Sequence, residues 1–239
     1  MVEQYPIFIP VRDRLAPLLE LLDWLASVDQ HEVCLIDNAS TFEPLVQFLG
    51  ETSCRVVRLG ENLGHRSPWL SGIAQRDAYG RFFIVSDPDV VPDPMCPHDV
   101  IDHFRNLLEA HPEVDKVGFG LRIDDLPEHY PLRDDVIDWE GKFWDPAIEI
   151  EPGVYAAGID TTFAMYRPLE RRHELLRALR TGKPYVARHL PWYIDPTQLS
   201  EEDRYYREHA DTTMSNWDRD QLPWWKQRRL GSLKEQSDG

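Results

Sequence analysis

The chain has 239 residues, 42% hydrophobic and 28% charged, with a formal net charge of −16 at pH 7. That length and balance fit one globular α/β domain with a sizeable core and exclude a disordered chain. So acidic a surface repels phosphate backbones, which excludes nonspecific nucleic-acid binding; an anionic ligand would need a local metal ion, a few arginines or a helix N-terminus.

In chain order, "YPIFIPV" reads as a buried strand, and "RLAPLLELLDWLASV" carries Leu15, Leu18, Leu19, Leu22 and Leu25 at helical spacing. "HEVCLIDNAS" is a second strand ending in polar residues, "TFEPLVQFLGE" a short helix closed by Gly50, and "CRVVRLGENLG" a third strand running into a Gly-containing loop. "PWLSGIAQRDAYG" reads as helical and "RFFIVSDPDVV" as a fourth strand. Strand and helix in alternation, with continuous apolar strands, predict a mostly parallel sheet covered by helices on both faces. A helix ("PHDVIDHFRNLLEAHP") and a strand ("KVGFGLRI") follow, then a Pro- and acid-rich stretch. Next come the strand "YAAGIDTTFAMYR", the helix "LERRHELLRALRTG", the loop "PYVARHLPWYIDP" and a polar tail with the helical portion "SEEDRYYREHADTT". One domain is expected over 1–199, with a nucleotide-binding half at 1–95 and an acceptor and metal-loop half at 96–199. Residues 200–239 form an extension.

Cys34, Cys54 and Cys96 fit no zinc spacing, and "MVEQYPIFIP" places no basic region before a long apolar run. No segment reaches bilayer length. These features predict reduced thiols in a soluble, cytoplasmic protein.

The chemistry concentrates in "FFIVSDPDVVPDP", where a buried-looking strand runs into two aspartates separated by Pro88. In an extended segment residues i and i+2 share a face, so Asp87 and Asp89 would aim at one point. Two carboxylates so close repel unless a proton or cation lies between them. A hard divalent cation, Mg²⁺ or Mn²⁺, takes oxygen ligands and keeps positions open for substrate phosphates.

Taken with its neighbours, this stretch resembles the A-type (GT-A) glycosyltransferases, Rossmann-like α/β proteins that include the family-two nucleotide-sugar transferases. The resemblance runs over residues 5–195. It rests on the order of "IFIPVRDR", "CLIDNAS", "ENLGHRSP" and the D-x-D of "SDPDVVP". It implies that Pro10, Val11 and Arg12 end the first strand near the nucleotide, that Asp37 and Asn38 face the base, and that Asn62 and Arg66 lie near the donor. Ser86, Asp87 and Pro88 would flank the diphosphate, and Asp87 and Asp89 would hold the cation. His189 in "ARHLPWY" resembles the late metal-binding histidine of such enzymes. The implied reaction moves a sugar from a UDP-, GDP- or dTDP-sugar to a hydroxyl of a glycan or glycolipid, with inversion preferred.

A carboxylate must accept the acceptor's proton. Asp160, in a strand of small and apolar residues, is the leading candidate, with Asp124 and Asp125 as rivals after "KVGFGLRI". Trp139, Trp192 and Tyr193 are candidates for stacking on an acceptor sugar. The terminal "LPWWKQRRLG" suggests at most peripheral membrane contact. Two other classes compete. A nucleotidyltransferase shares a similar core, but "IPVRDRLAP" lacks its glycines. A non-catalytic carbohydrate- or nucleotide-binding protein on the same fold is the third reading.

Overall fold

The computed structural model describes residues 2–159, 162–168 and 177–210. Strands β1 (Ile7–Val11), β2 (Val33–Asp37), β3 (Arg55–Arg58) and β4 (Phe83–Val85) lie in the order β3-β2-β1-β4, all parallel. β1, β2 and β4 are buried along their whole length, as continuous apolar strands must be when both sheet faces are covered. Ile7, Ile9 and Val11 join one apolar cluster and Phe8 a second. That alternation is the two-residue period of a strand serving two cores. Helix α1 (Ala16–Ser27) buries Pro17, Leu18, Leu21 and Leu25. Helix α2 (Glu43–Glu51) and the short helices α3 (Ser67–Leu70) and α4 (Ile73–Asp77) complete the first half. Gly50 lies inside α2 rather than closing it, and the helix ends at Thr52.

The second half adds β5 (Val90–Pro92), α5 (Val100–Ala110), β6 (Lys116–Leu121), α6 (Arg133–Gly141), β7 (Glu149–Glu151), β8 (Val154–Tyr155), β9 (Ala164–Tyr166), β10 (Ala178–His189) and α7 (Glu201–His209). β9 is antiparallel between β4 and β6, and β10 is parallel to β6. Consequently β1, β2, β4, β6 and β10 all end on one edge of the sheet. Gly118 of β6 permits the close approach of β9: a Cβ there would stand 2.5 Å from the Phe163 carbonyl oxygen.

Three sequence expectations change. The fourth strand is two strands, β4 and β5, with Asp87-Pro88-Asp89 in the turn between them, so the shared-face argument from an extended segment does not apply. "YAAGIDTTFAMYR" likewise contributes two short strands, β8 and β9. Of the helix expected over 169–182, residues 169–176 lie outside the described residues, and from Ala178 on the chain is β10 instead. Leu179 and Thr181 are buried there between β6 and β8. Pairing on both sides overrides the helical preference of Leu, Arg and Ala.

Helix α7 opens on a capping box between Ser200 and Asp203. The Glu202 carboxylate accepts the Leu15 and Ala16 N–H groups at 2.7 and 3.0 Å, Asp203 pairs with Arg14 at 3.1 Å, and the Tyr205 hydroxyl meets Thr41. The described start of the 200–239 segment is therefore fastened to the first half. The terminal Trp- and Arg-containing stretch lies outside the described residues. Among those described, no helix is long and apolar enough to cross a membrane. The three cysteines are free.

Candidate active site

From β1 the chain moves one way to β2 and β3 and the other way to β4, so the strand order reverses between β1 and β4. Ligands of open α/β sheets bind at such a point, outside the carboxyl ends of the strands. Pairing with β4 stops early: Phe8 lies opposite Val85, and the last link is the Ser86 N–H to the Phe8 carbonyl at 3.2 Å. Pro10, two residues on, has no N–H to offer on that side, and β4 no longer needs one. The two strands part there, and Ser86 to Asp89 lead out of the gap.

The loops around the gap are tied to each other. Arg12 donates to the Asn38 carbonyl at 2.7 Å. Asp37 ends β2 nearly buried and accepts the Ser40 N–H at 2.9 Å. The Asn38 amide accepts the Leu63 N–H at 3.1 Å and donates to Gly64 O and Ser67 Oγ, both at 3.3 Å. Its side chain thus links the second loop to the third. Asn62 accepts the Gly64 N–H at 2.9 Å, and Arg66 closes the single turn before α3. Asp13, which the sequence reading passed over, is buried at φ 52° and accepts the Thr41 and Phe42 N–H groups at 2.6 and 2.8 Å. Aspartate adopts positive φ more readily than most residues, but that preference does not single out one position in a sequence.

His189 is not in a loop after a helix; it ends β10, opposite Val90 of β5. The Leu190 N–H donates to the Asp89 carbonyl at 2.9 Å. This register brings His189 Nε2 to 3.8 Å from Asp89 Oδ1, across exactly the hundred residues that separate 89 from 189. Two adjacent octahedral ligands each about 2.1 Å from one ion stand about 3.0 Å apart, so this oxygen and imidazole nitrogen would have to draw together by about 0.8 Å to share a hard divalent cation. Among the described residues no group of three His, Cys, Asp or Glu side chains is gathered to hold a metal. Ions of this kind are commonly held by one or two protein groups and completed by substrate phosphates and water.

Behind the pair lies an ion network. Asp93, 3% exposed, faces Arg122 at 2.7 Å and Arg188 at 3.3 Å. Asp125 takes Arg188 at 2.7 Å and the Tyr193 hydroxyl at 2.6 Å. Asp124 is paired with Lys183, and with Arg122 at 3.0 Å. Three carboxylates and three cations balance. The Lys183 hydrogen bond, helped by Arg122 and opposed by partial burial, holds the Asp124 carboxyl below its usual range. Burial, then the hydrogen bond to Asp125, pushes the Tyr193 hydroxyl well up.

Asp93 is also held low: burial opposes this, but Arg122, the Met95 N–H and Arg188 outweigh it. A carboxyl depressed in the folded state contributes stability above its unfolded pKa of about 3.9, which is lost as pH falls through the folded value. Urea melts between about pH 3 and 6 should show wild type losing stability at the acid end and Asp93→Asn with a flatter acid limb. Superimposable limbs would mean that the network is not coupled to folding.

One acceptor candidate is corrected. Trp192 is 1% exposed and packs its ring on His189, centroids 4.8 Å apart, so it offers no face to a sugar. One face of Trp139 is covered by the Lys142 ammonium at 3.5 Å. Tyr193 is half-buried with its hydroxyl on Asp125. Asp160 lies outside the described residues, but the two carbonyls before it are gripped by buried cations: Gly158 O by Arg180 at 2.8 Å and Ile159 O by Lys116 at 2.6 Å.

The fold is the Rossmann-like α/β fold of the A-type glycosyltransferases, with its candidate residues at the ends of the sheet's co-directional strands. The sequence profile of glycosyl transferase family 2 matches residues 7–172, more than half the chain, and the chain belongs to that family. Three of the solved structures similar to it illustrate the likeness. A mannosyltransferase, PcManGT from Pyrobaculum calidifontis in complex with GDP-Man and Mn²⁺, is 22% identical with a TM-score of 0.43, over 67% of this chain and 43% of that one. Glucosyl-3-phosphoglycerate synthase from Mycobacterium tuberculosis, in complex with Mn²⁺ and UDP-Glc, is 15% identical with a TM-score of 0.40, over 67% and 55%. HddC from Yersinia pseudotuberculosis complexed with GMP-PN is 13% identical with a TM-score of 0.42, over 73% and 82%. The match spans about half the length of the first two. No curated protein matches the chain.

Proposed function

We propose that this family-two chain transfers a sugar from a nucleoside-diphosphate sugar to the hydroxyl of a glycan or glycolipid, with inversion. The observation that carries the reading is the meeting of Asp89 and His189 beside the strand-order reversal. Asp89 and His189 hold a divalent cation, Mn²⁺ or Mg²⁺, with Asp87 beside them in the turn. When bound, the cation supplies positive charge to the departing diphosphate. Arg12, Asp37, Asn62, Arg66 and the Ser86–Pro88 turn surround the nucleotide. Asn38 shapes that wall by holding its loops together.

Asp160 takes the acceptor's proton as the hydroxyl oxygen bonds to the anomeric carbon and the bond from that carbon to the diphosphate oxygen breaks. Support comes from its rivals. Asp124, already depressed by Lys183, is a poor base, and Asp125 is committed to Arg188 and Tyr193. Thermal melts of the whole chain with UDP, GDP and dTDP, each with and without Mn²⁺, test the reading. One nucleotide should raise the melting temperature only when Mn²⁺ is present. The absence of any metal-dependent shift would overturn it.

A further inference from the structure

Arg188 and His189 are consecutive in β10 and therefore point to opposite faces. His189 meets Asp89 while Arg188 is held from behind by Asp93 and Asp125. Asp93 directly follows β5, and Asp125 follows β6 after Arg122, Ile123 and Asp124. Backbone bonds join the same pieces, the Asp93 N–H to Val186 O at 2.9 Å and the Arg122 N–H to Ala187 O at 2.8 Å. Tyr193, in the same turn as Trp192, adds its hydroxyl to Asp125, and the Arg188 guanidinium stands 5.3 Å from its ring.

We propose that Arg188 is a positioning residue for the His189–Asp89 pair, fixing where β10 ends against β5. This rests on the metal reading above only for its first readout. A guanidinium suits the task because its planar fork reaches two carboxylates at once, hydrogen-bonding Asp125 and lying 3.3 Å from Asp93, where an ammonium presents a single point charge. With Arg188 removed, the nearly buried Asp93 keeps Arg122 and the Met95 N–H, and Asp125 keeps Arg122 and the Tyr193 hydroxyl, but both lose the side chain by which β10 holds them. The backbone pairing of β10 with β5 remains, but the side-chain brace on the end of β10 is lost, and the His189–Asp89 spacing is held less firmly. Because Arg188 is committed to two carboxylates, it is assigned no contact with the donor.

The test is Mn²⁺ affinity, measured by electron paramagnetic resonance on the full chain with Mn²⁺ alone, at a temperature where every variant is folded. Removing a group that orients a metal ligand typically weakens binding about ten- to hundred-fold. Arg188→Met should fall in that range, Tyr193→Phe should weaken binding less, and Arg188→Lys should lie between Arg188→Met and wild type. Should Arg188→Met prove unfolded, Arg188→Lys and Tyr193→Phe carry the comparison. Wild-type affinity in the folded Arg188 variants, with loss in Asp89→Asn, would overturn the proposal.

If the wild type itself binds no Mn²⁺, the metal reading fails and the positioning claim is decided by nuclear magnetic resonance. The His189 ring Cε1–H signal, assigned by its loss in His189→Asn, senses the Trp192 ring 4.8 Å away. A shift of that signal in the Arg188 variants supports the claim, and an unmoved signal overturns it.

Discussion

Replacing Glu140 by Ala is expected to lower the unfolding free energy by about 3–5 kcal/mol, the cost of breaking a buried ion pair by removing one partner. The Glu140 carboxylate meets Arg180 at 2.6 Å, and both residues are about 95% shielded from water at 5% and 4% exposure. The guanidinium also donates to Gly158 O and lies 3.9 Å from the Phe143 ring centroid, so it has little freedom to swing toward solvent. Left without its carboxylate, it becomes an uncompensated buried charge. Arg180→Met combined with Glu140→Met removes both charges together and should recover most of the loss. Urea unfolding of the three proteins checks this. A cost below about 1 kcal/mol for Glu140→Ala, the range of an exposed pair, would show that water reaches the site. The same substitution should slow sugar transfer, since Arg180 grips the backbone two residues before Asp160.

The first half of the fold could be read from the sequence because each of its elements is local. β1, β2 and β4 are continuous apolar runs, and α1 shows its buried stripe as leucines three and four apart. The long strand β10 could not. Ala178 to Thr181 carries residues that favour a helix, and only β6 and β8, distant in sequence, make it a strand. The same limit applies to the site. Asp87 and Asp89 stood out as a local pattern, yet their placement in a turn depends on where β4 stops pairing. The neighbours of His189 mark it in the sequence, but its meeting with Asp89 follows from the β5–β10 register. The burial of Trp192 is not legible in the sequence, because an aromatic residue in "RHLPWY" reads the same whether it faces a sugar or the core. Asp93 and Arg122 gave no signal, since their importance comes from Arg188, far along the chain.

Asp89→Ala is expected to lower the rate of sugar transfer by about a hundred-fold or more at limiting Mn²⁺, the scale of losing one electrostatic contact to a developing charge. The side chain is 18% exposed, so the variant should melt near the wild-type temperature without ligand. What it loses is one of two donors to the cation, and that is a loss of affinity. Raising Mn²⁺ should therefore restore part of the rate in Asp89→Ala. Asp160→Asn should lose activity that no Mn²⁺ concentration restores, because the acceptor's proton then has no carboxylate to receive it. Rates measured over a Mn²⁺ series, with the nucleotide sugar whose base the thermal melts select, separate the two roles. Equal rates for wild type and Asp89→Ala at limiting Mn²⁺ would remove Asp89 from the metal site. Recovery of Asp160→Asn at high Mn²⁺ would remove Asp160 as the base, and the position would then belong on the metal side of the gap.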